Sequence, residues 1–540
     1  MNKVIIALLL LLLPCLTVAK EQQPNILFVL ADDFRWDSFA HLSDFGLKTP
    51  NLDKLAKKSV RFTKSYNTTA ICLGSRAVYV SGLNEFSTGT NFAHGNMDYA
   101  LWKKSYPAQL KKNGYYTGFV GKFGFHVNDP SGKKGTVATI RDDFDYWGAW
   151  LGQGNYKIAL NPEAEAWFKY FGGKKEHATH AIGLMSEDFI EKAVKSDKPF
   201  NLSVSFKAPH GPYAVDPRYK EVYQGQKFAK PENFGPDLNS PKQALSGRPT
   251  YLGRKWLSDY DKQMYGYHSM IYGLDQALGR ILATLEAQGV SDNTVIIFAA
   301  DNGHLNGSKG MSGKLYAYEE GTRSPTMIYD PRRKSNQTFE TTDVLSGSID
   351  IAPTILDLAA IALPEKMHGK SILPILTTEK AKQTGTMLHK SLLLMQVWGK
   401  GSAQSLAVVT PTHKYIHWFY GAQEFERTEE LFDLSKDSNE STSLTKHIEA
   451  APVLKSMRKQ YDEHMAIWAQ DGVNDRGYPK YLNLANRHMP FEENSQADID
   501  NMYKGNGFVR DAKGKKIKKN KKKNKTNNVS DSKAKHESTI

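Results

Sequence analysis

The sequence ILFVLADD at residues 26–33 is an apolar run that ends in two aspartates. An apolar run without polar alternation is typical of a strand buried on both faces, as the strands of parallel sheets are. A second run, VIIFAA at residues 295–300, ends at Asp301 and Asn302. We therefore expect two buried parallel strands that carry acidic and amide side chains to one edge of a sheet.

Two further patterns extend this arrangement. Residues 116–120 read as a strand that leads to Lys122, and residues 200–206 read as a strand that is followed by His210. Apolar side chains recur every three or four positions over residues 271–285, which predicts a helix. Strand, helix and strand in this order predict an α/β fold, with a large, mostly parallel sheet flanked by helices.

The pattern changes near residue 380. Residues 406–409 and 414–418 resemble antiparallel strands, and apolar spacing over residues 457–468 predicts a helix with a core-facing side. We therefore expect a smaller C-terminal α+β subdomain. The predicted organisation is a signal peptide at 1–19, a catalytic domain at 20–380, the C-terminal subdomain at 381–504 and a lysine-rich tail at 505–540.

The first residues have the pattern of a secretory signal peptide. Lys3 precedes an apolar run at residues 4–13, and small residues near Ala19 predict cleavage after that position. The run is too short to cross a membrane, and no later segment is apolar over about 18 residues, so we expect no membrane span. The predicted location is periplasmic or secreted.

The charge of the chain is concentrated at one end. The formal net charge is +14, but residues 505–540 hold twelve basic and three acidic residues, which leaves only +5 upstream. That mildly basic body gives no reason to expect a nucleic-acid partner. Apolar residues make up 40% of the chain, which excludes wholesale disorder. Removal of the signal leaves one cysteine, Cys72, so no internal disulfide can form.

The predicted edge of the sheet combines oxygen ligands with cations. Its members are Asp32, Asp33, Asp301 and Asn302, together with Lys122, Lys207 and His210. Oxygen ligands of this kind suit Ca²⁺ or Mg²⁺ better than zinc. A metal with lysine and histidine around an anion predicts hydrolysis of a phosphate or sulfate ester. Taken singly, each residue has an ordinary interpretation at a loop, surface or turn, but their order along the chain favours a site.

Cys72 lies in the segment ICLGSRAVYVSG at residues 71–82. This segment resembles the signature of the type I sulfatase family, Cys-x-Pro-Ser-Arg followed by a small or apolar helix. The resemblance implies that Cys72 is oxidised to formylglycine, whose hydrate is the nucleophile in that family. A buried, inert cysteine is the alternative interpretation. A helix that starts here would also favour an anion, because its amides and dipole attract negative charge.

The resemblance covers the chain from about residue 24 to residue 475. Its blocks lie at 25–33, 114–122, 207–210, 301–303, 313–325, 350–354 and 430–434. The order of these blocks makes the resemblance specific. The chain departs from the family at two positions. Gly74 stands where the signature has proline, and Gly124 stands where the family has a histidine, two positions after Lys122. The nearest histidine is His126.

The resemblance implies a complete site with one Ca²⁺ ion. The implied metal ligands are Asp32, Asp33, Asp301, Asn302 and the oxygen of modified Cys72. The implied catalytic residues are Cys72, Arg76, Lys122, His126, His210 and Lys314. By the family mechanism, the arginine and both lysines neutralise the sulfate, His210 or Lys314 protonates the leaving oxygen, and His126 helps to expel sulfate. A formylglycine-generating or sulfatase-maturating enzyme is the implied partner.

Export and a mildly basic body favour a sulfated polysaccharide or its oligosaccharides as the substrate. Two other classes stay open. A phosphodiesterase or phosphatase of the same superfamily would use Ser or Thr and a zinc pair. A non-catalytic binder of sulfated glycans would result if Gly74 prevented oxidation of Cys72. Four aromatic residues could stack on sugars or pack in the core, namely Phe144, Tyr146, Trp147 and Trp150.

Overall fold

The computed structural model describes residues 23–489, apart from 93–94, 162–175, 236–238, 246–254, 334–338, 378–386, 399–402 and 420–426. Its strands are β1 Asn25–Asp32, β2 Val60–Phe62, β3 Ser65–Tyr66, β4 Tyr116–Lys122, β5 Tyr146–Trp150, β6 Phe200–Pro209, β7 Thr294–Ala300, β8 Met327–Tyr329, β9 Thr341–Thr342, β10 Ser346–Gly347, β11 Leu392–Gln396, β12 Ser405–Val409, β13 His413–Trp418 and β14 Thr428–Asp433. Its α-helices are α1 Pro50–Lys58, α2 Cys72–Ser81, α3 Glu85–Thr88, α4 Tyr99–Trp102, α5 Tyr106–Lys112, α6 Ala178–Val194, α7 Lys242–Leu245, α8 Tyr260–Ala287, α9 Glu319–Thr322, α10 Ile351–Leu358, α11 Leu373–Thr377, α12 Ala451–Asp471 and α13 Tyr478–Ala485.

Eight strands form the central sheet, in the order β5-β4-β6-β1-β7-β8-β2-β9. The five strands from β5 to β7 run parallel to their neighbours. Strand β8 pairs antiparallel with both β7 and β2. The large, mostly parallel sheet predicted from the sequence is therefore confirmed, with one strand, β8, antiparallel to both of its neighbours.

Strand β1 explains why the sequence around residue 26 is apolar without alternation. All of its residues are buried. Leu27, Val29 and Ala31 pack into one core together with α6 and α8. The alternate residues of β1 pack into a second core with α2, α5 and α10 on the opposite face. Because successive side chains of a strand point to opposite faces, helices on both sides require an apolar residue at every position.

A second sheet follows in the C-terminal part of the chain. Strands β11 to β14 pair antiparallel in chain order. Helix α12 packs against β12 and β13, and its residues Met457, Tyr461 and Trp468 are buried. The predicted antiparallel strands and the helix after them are confirmed.

A buried ion cluster joins this second sheet to the start of α9. Nζ of Lys414, in β13, lies 2.7 Å from Oε1 of Glu319 and 2.8 Å from Oε1 of Glu440. The backbone N–H of Glu319 donates to the other carboxylate oxygen of Glu440 at 2.7 Å. All three side chains are buried. Lys414 is therefore the shared counter-charge of two carboxylates that water does not reach.

The predicted limits of the chain's parts lie outside the described residues. This holds for the signal peptide at residues 1–19, for the tail at residues 505–540 and for the boundary between residues 380 and 381. The domain limits therefore stay predictions. No helix in the described part of the chain is long and apolar enough to cross a membrane.

The aromatic cluster around β5 packs in the core. Phe144, Tyr146 and Trp150 are buried. The ring of Trp147 lies 5.3 Å from that of Phe144 and 5.6 Å from that of Phe123. Core packing is thus the correct interpretation of these residues, and stacking on sugars is not.

Candidate active site

Parallel strands end together at one edge of the central sheet and place the predicted polar residues there. Strand β1 ends at Asp32, and β7 pairs with β1 up to the residue before Asp301. Strand β4 ends at Lys122, and β6 ends one residue before His210. Residues that follow parallel strands meet at the same edge of a sheet, so the ends of these strands alone bring the group together.

Asp33 departs from strand geometry, with a φ of +64°. In a regular strand, Asp32 and Asp33 would point to opposite faces. The left-handed conformation at Asp33, which is uncommon for a residue other than glycine, ends the strand and turns the second carboxylate. Nδ2 of Asn302 donates to Oδ1 of Asp33 at 2.6 Å. Both carboxylates therefore face the same site.

Cys72 is the first residue of α2 and is fully buried at this edge. Its Sγ lies 3.2 Å from Oδ1 of Asp32 and contacts Nζ of Lys314. One ligand atom from each of Asp32, Asp33, Cys72 and His210 lies within 4.8 Å of the others. The structure therefore brings the predicted nucleophile, two carboxylates and an imidazole to one point.

Three cations lie among these groups. The ion pairs are Lys122 with Asp32 at 2.6 Å, Arg76 with Asp301 at 2.7 Å, and Lys314 with Asp33. Arg76 lies one helical turn after Cys72, which explains the four-residue spacing in the signature. The side chains of Arg76 and Lys122 are no more than 2% exposed, whereas that of Lys314 is 12% exposed. Lys314 is thus the cation closest to solvent.

Burial and charge act in opposite directions on the carboxylates. Burial alone would raise the pKa of Asp32, but the neighbouring cations, led by Lys122, outweigh it and hold that pKa well below the usual value. The same balance lowers the pKa of Asp33 to about 2. Burial and the charge of Asp32 raise the pKa of Asp301 to about 6. The carboxylates of Asp32 and Asp33 therefore stay ionised although both are buried.

The same environment makes an unmodified Cys72 a poor nucleophile. Burial, followed by the nearby carboxylate of Asp32, raises the pKa of the thiol to about 12. Because the thiolate is the reactive form of cysteine, a thiol with this pKa is inert at neutral pH.

The donor set fits a hard divalent cation. Oδ1 of Asn302 is buried and has no hydrogen-bond partner among the described residues. Nδ2 of the same amide donates to Asp33 and to the carbonyl of Gly303, which fixes the orientation of the side chain. An orphaned amide oxygen beside the carboxylates of Asp32 and Asp33 is the kind of ligand set that Ca²⁺ and Mg²⁺ prefer.

The structure adds contacts that the sequence analysis missed. Oε1 of Gln153 accepts from Nζ of Lys122, Oγ of Ser205 accepts from Nη1 of Arg76, and Nε2 of His304 accepts from the N–H of Gly313 at 3.1 Å. Gln153 follows β5, so the rule that polar residues after parallel strands meet at one edge could have found it. Ser205 lies within a strand and His304 acts on a loop, and no pattern in the sequence marks either.

His126 makes its recorded contacts away from this group. Its carbonyl accepts from the N–H of Met97 at 3.0 Å. Burial and the charge of Lys134 lower the pKa of its imidazole, and its Nδ1 has no hydrogen-bond partner in the described part of the chain. None of these contacts joins it to Cys72. The role carried over to His126 therefore stays a prediction.

The chain matches the profile of a known protein family over most of its length. A family profile described as Sulfatase matches residues 24–361, which is more than half of the chain. The chain belongs to the sulfatase family. By this membership it is a sulfuric ester hydrolase. A second profile, described as N-sulphoglucosamine sulphohydrolase, C-terminal, matches residues 307–466 of this sulfatase. The family resemblance noted around Cys72 is thereby confirmed.

Curated relatives of this sulfatase carry related names. An arylsulfatase of Clostridium perfringens is 26% identical, over 85% of this chain and 98% of the relative. An N-acetylglucosamine-6-O-sulfatase of Bacteroides thetaiotaomicron is 24% identical, over 83% of this chain and 89% of the relative. A ulvan-active sulfatase of Formosa agariphila is 28% identical, over 69% of this chain and 68% of the relative.

Solved structures share the fold. One, described as a complex with D-glucosamine-2-N,6-O-disulfate, has a TM-score of 0.66 and 22% identity, over 84% of this chain and 99% of that chain. The phosphonate monoester hydrolase of Agrobacterium radiobacter also has a TM-score of 0.66, with 20% identity over 83% of this chain and 96% of that chain. The same fold thus carries sulfate and phosphonate chemistry.

Proposed function

We propose that this protein is an exported sulfatase that acts on a sulfated polysaccharide or its oligosaccharides, through a formylglycine made from Cys72 and a bound calcium ion. The observation that carries the proposal is the position of one buried thiol, in contact with both Asp32 and Lys314, at the start of α2. The relatives named for N-acetylglucosamine-6-O-sulfate and ulvan support a glycan substrate.

The balance of charge suits a sulfate ester. The cationic side chains are Arg76, Lys122, Lys207 and Lys314, and the carboxylates are Asp32, Asp33 and Asp301. The charges of Asp32 and Asp33 reach Lys207 and favour its protonated form, although burial, as the larger effect, lowers its pKa. A divalent ion held by Asp32, Asp33, Asp301 and Asn302 would give the site a clear positive surplus. Such a surplus stabilises the negative charge that develops on the oxygens of a sulfate in the transition state.

The chain's own residues have separable tasks. Arg76 and Lys122 are held by carboxylates and by Ser205 and Gln153, so they present fixed positive charge to an anion. His210 and Lys314 lie beside Cys72 and are the candidates for the group that gives a proton to the leaving oxygen. Burial alone would lower the pKa of Lys314, but the carboxylates around it raise that pKa and keep Nζ protonated, whereas burial lowers the pKa of His210 to about 4.

The proposed reaction needs two groups besides the side chains named above, a bound Ca²⁺ ion and a formylglycine at position 72. A bound Ca²⁺ supplies positive charge close to the sulfate. A formylglycine at position 72 supplies a hydrated aldehyde, whose first hydroxyl is a nucleophile and whose second hydroxyl allows sulfate to be released. A formylglycine-generating or sulfatase-maturating enzyme is required to make it. The signal-peptide pattern at residues 1–19 supports a periplasmic or secreted location.

Peptide mass spectrometry at position 72, combined with sulfate release, tests the proposal. The protein is isolated from a host that contains a maturation enzyme, and we expect an aldehyde in place of the thiol and hydrolysis of 4-nitrophenyl sulfate. We expect Cys72→Ala and Cys72→Ser to be folded and to lack turnover. Near-normal activity of Cys72→Ala would overturn the mechanism. A thiol at position 72 in a protein that binds sulfated glycans would favour the non-catalytic alternative.

A phosphate ester is the second candidate substrate, because the fold is shared with phosphonate monoester hydrolases. The described residues offer one metal-capable group of histidine, cysteine and acidic side chains, without the second set that a zinc pair would need. We therefore expect the matured enzyme to hydrolyse 4-nitrophenyl sulfate faster than phenyl phosphonate esters. The reverse order of rates would favour the second candidate.

A further inference from the structure

The side chain of Gln153 contacts the buried site and is also exposed to solvent. The residue is exposed, yet its Oε1 accepts a hydrogen bond from Nζ of Lys122, whose side chain is only 1% exposed. Lys122 in turn lies 2.6 Å from Asp32. A group that touches the innermost cation and also reaches water lies at the mouth of the site.

The orientation of the Gln153 amide follows from chemistry. A lysine ammonium has three hydrogen-bond donors and no acceptor, so the atom of Gln153 that faces Lys122 has to be the carbonyl oxygen. The amide nitrogen therefore points away from Lys122. Among the described residues, no hydrogen-bond partner is recorded for this nitrogen. Two N–H donors are thus available at the mouth of the site, without an acceptor among the described residues.

The short loop that carries Gln153 is fixed at both ends. Before the loop, Trp150 pairs with Lys122 in the sheet. Directly after Gln153, a Cβ built on Gly154 would lie 1.8 Å from Nε1 of Trp150, so the backbone of Gly154 lies close to the indole. After the loop, Oδ1 of Asn161 accepts from the N–H of Asn155 at 2.6 Å, and its Nδ2 donates back to the carbonyl of Asn155 at 3.0 Å. A fixed loop places the Gln153 amide at a reproducible position.

We propose that Gln153 selects the sugar, by donating a hydrogen bond from its amide nitrogen to an oxygen of the leaving sugar while its carbonyl stays on Lys122. The inference rests on the proposed function and names the residue that would contact the sugar rather than the sulfate. An aryl sulfate presents no hydroxyl groups around the ring, so it offers this donor no comparable acceptor. The sugar substrate alone gains from the contact.

The test compares two kinds of substrate in the matured, calcium-loaded enzyme. The sugar probes are N-acetylglucosamine 6-sulfate and glucosamine 2-N,6-O-disulfate, and the reference is 4-nitrophenyl sulfate. Gln153→Met keeps the length of the side chain and removes its donors. The variant also removes the oxygen that accepts from Lys122, so both substrates should slow. We expect kcat/KM to fall about five- to tenfold more for the sugar than for the aryl sulfate, as the loss of one neutral hydrogen bond predicts. Gln288→Met, at an exposed glutamine after α8, is the matched control and should change neither.

The possible outcomes separate the two proposals. An equal loss on sugar and aryl sulfate shows that Gln153 acts only through Lys122, which overturns the inference, and so does no loss on either. A wild type that hydrolyses the aryl sulfate and neither sugar overturns the inference together with the choice of glycan. A wild type that hydrolyses none of the three, despite an aldehyde at position 72, overturns the proposed function itself. Thermal unfolding of each variant confirms that the fold is kept.

Discussion

The side chain of Arg76 occupies the space that a side chain at position 124 would need. A Cβ built on Gly124 would lie 2.5 Å from Cδ of Arg76 and 3.2 Å from its Nε. The backbone of Gly124 is also left-handed, with a φ of +92°. A side chain at position 124, such as the histidine that the family resemblance implies there, would therefore have to displace Arg76, which forms an ion pair with Asp301.

Gly124→Ala should be destabilising and should also reduce turnover. A side chain costs about 1–3 kcal/mol when it is forced into a packed interior, and here the group displaced is Arg76, which binds Asp301. Gly132→Ala is the control, because Gly132 has a φ of +82° with nothing within 4 Å of its Cβ position. Chemical denaturation gives the free energy of unfolding of each variant, and kcat gives its turnover. Both variants carry the strain of an alanine at positive φ, so any additional loss in Gly124→Ala reports the displacement of Arg76. Equal effects in both variants would contradict the contact with Arg76.

Calcium should stabilise the folded protein through Asn302. A ligand that binds only the folded state at 100 times its Kd adds about 2.7 kcal/mol to the free energy of unfolding. We expect Ca²⁺ to raise the Tm of the wild type and a chelator to reverse the rise. Asn302→Leu, which removes the orphaned amide oxygen, should abolish the shift. Asn483→Leu, at an exposed position of α13, should keep it. A Tm shift that survives in Asn302→Leu would place the ion elsewhere.

Replacement of His126 tests the role carried over from the family. A general acid or base typically contributes about 10²- to 10⁴-fold to the rate. Since the recorded contacts of His126 are with residues other than Cys72, we expect His126→Ala to reduce kcat less than tenfold. His210→Ala, beside Cys72, should reduce it by more than 100-fold, in line with the same range. Similar losses in both variants would show that His126 reaches the site during turnover.

Glu85 should make stability depend on pH. The carboxyl is buried, and burial outweighs its hydrogen bonds from Tyr478 and Asn91 and raises its pKa to about 7. The folded state therefore keeps the proton at pH values where the unfolded chain has lost it, so stability falls as the pH rises from about 4.5 to about 7. Glu85→Gln removes this loss.

Urea denaturation at pH 5 and at pH 8 measures this dependence. We expect the free energy of unfolding of Glu85→Gln to improve relative to the wild type at the higher pH, by roughly 3 kcal/mol for a pKa shift of this size. Glu286→Gln, at an exposed position of α8, should show no such change. A difference between Glu85→Gln and the wild type that is the same at both pH values would contradict a protonated Glu85.

The strands and the edge of the central sheet could be predicted from the sequence because their signals are local. Apolar runs such as residues 26–31 have to be buried on both faces, and the residues that follow parallel strands meet at one edge. That reasoning correctly brought Asp32, Asp301, Lys122 and His210 together. Cys72 and Lys314 were added by the family motif, because nothing in their own surroundings places them at that edge.

The contacts that were missed depend on distances between parts of the chain. Gln153 follows β5 at the same edge, but a single glutamine in a loop does not by itself indicate a site, and its contact with Lys122 is visible only in the structure. The consequences of Gly124 could not be seen, because they depend on the path of Arg76 from a different element. His304 supports Gly313 across a loop, and such a hydrogen bond leaves no periodic trace in a sequence.

The ion cluster around Lys414 has a consequence for how the chain can be cut and recombined. Glu319, one partner of Lys414, comes five residues after Lys314, so β13 helps to fix the segment that carries a site lysine. A version truncated before β11, or a hybrid whose last third comes from another enzyme without an equivalent lysine, would lack Lys414 and leave the buried carboxylate of Glu319 without this counter-charge. The C-terminal third therefore cannot be exchanged freely, because the part that carries Glu319 and the part that carries Lys414 have to come from the same protein.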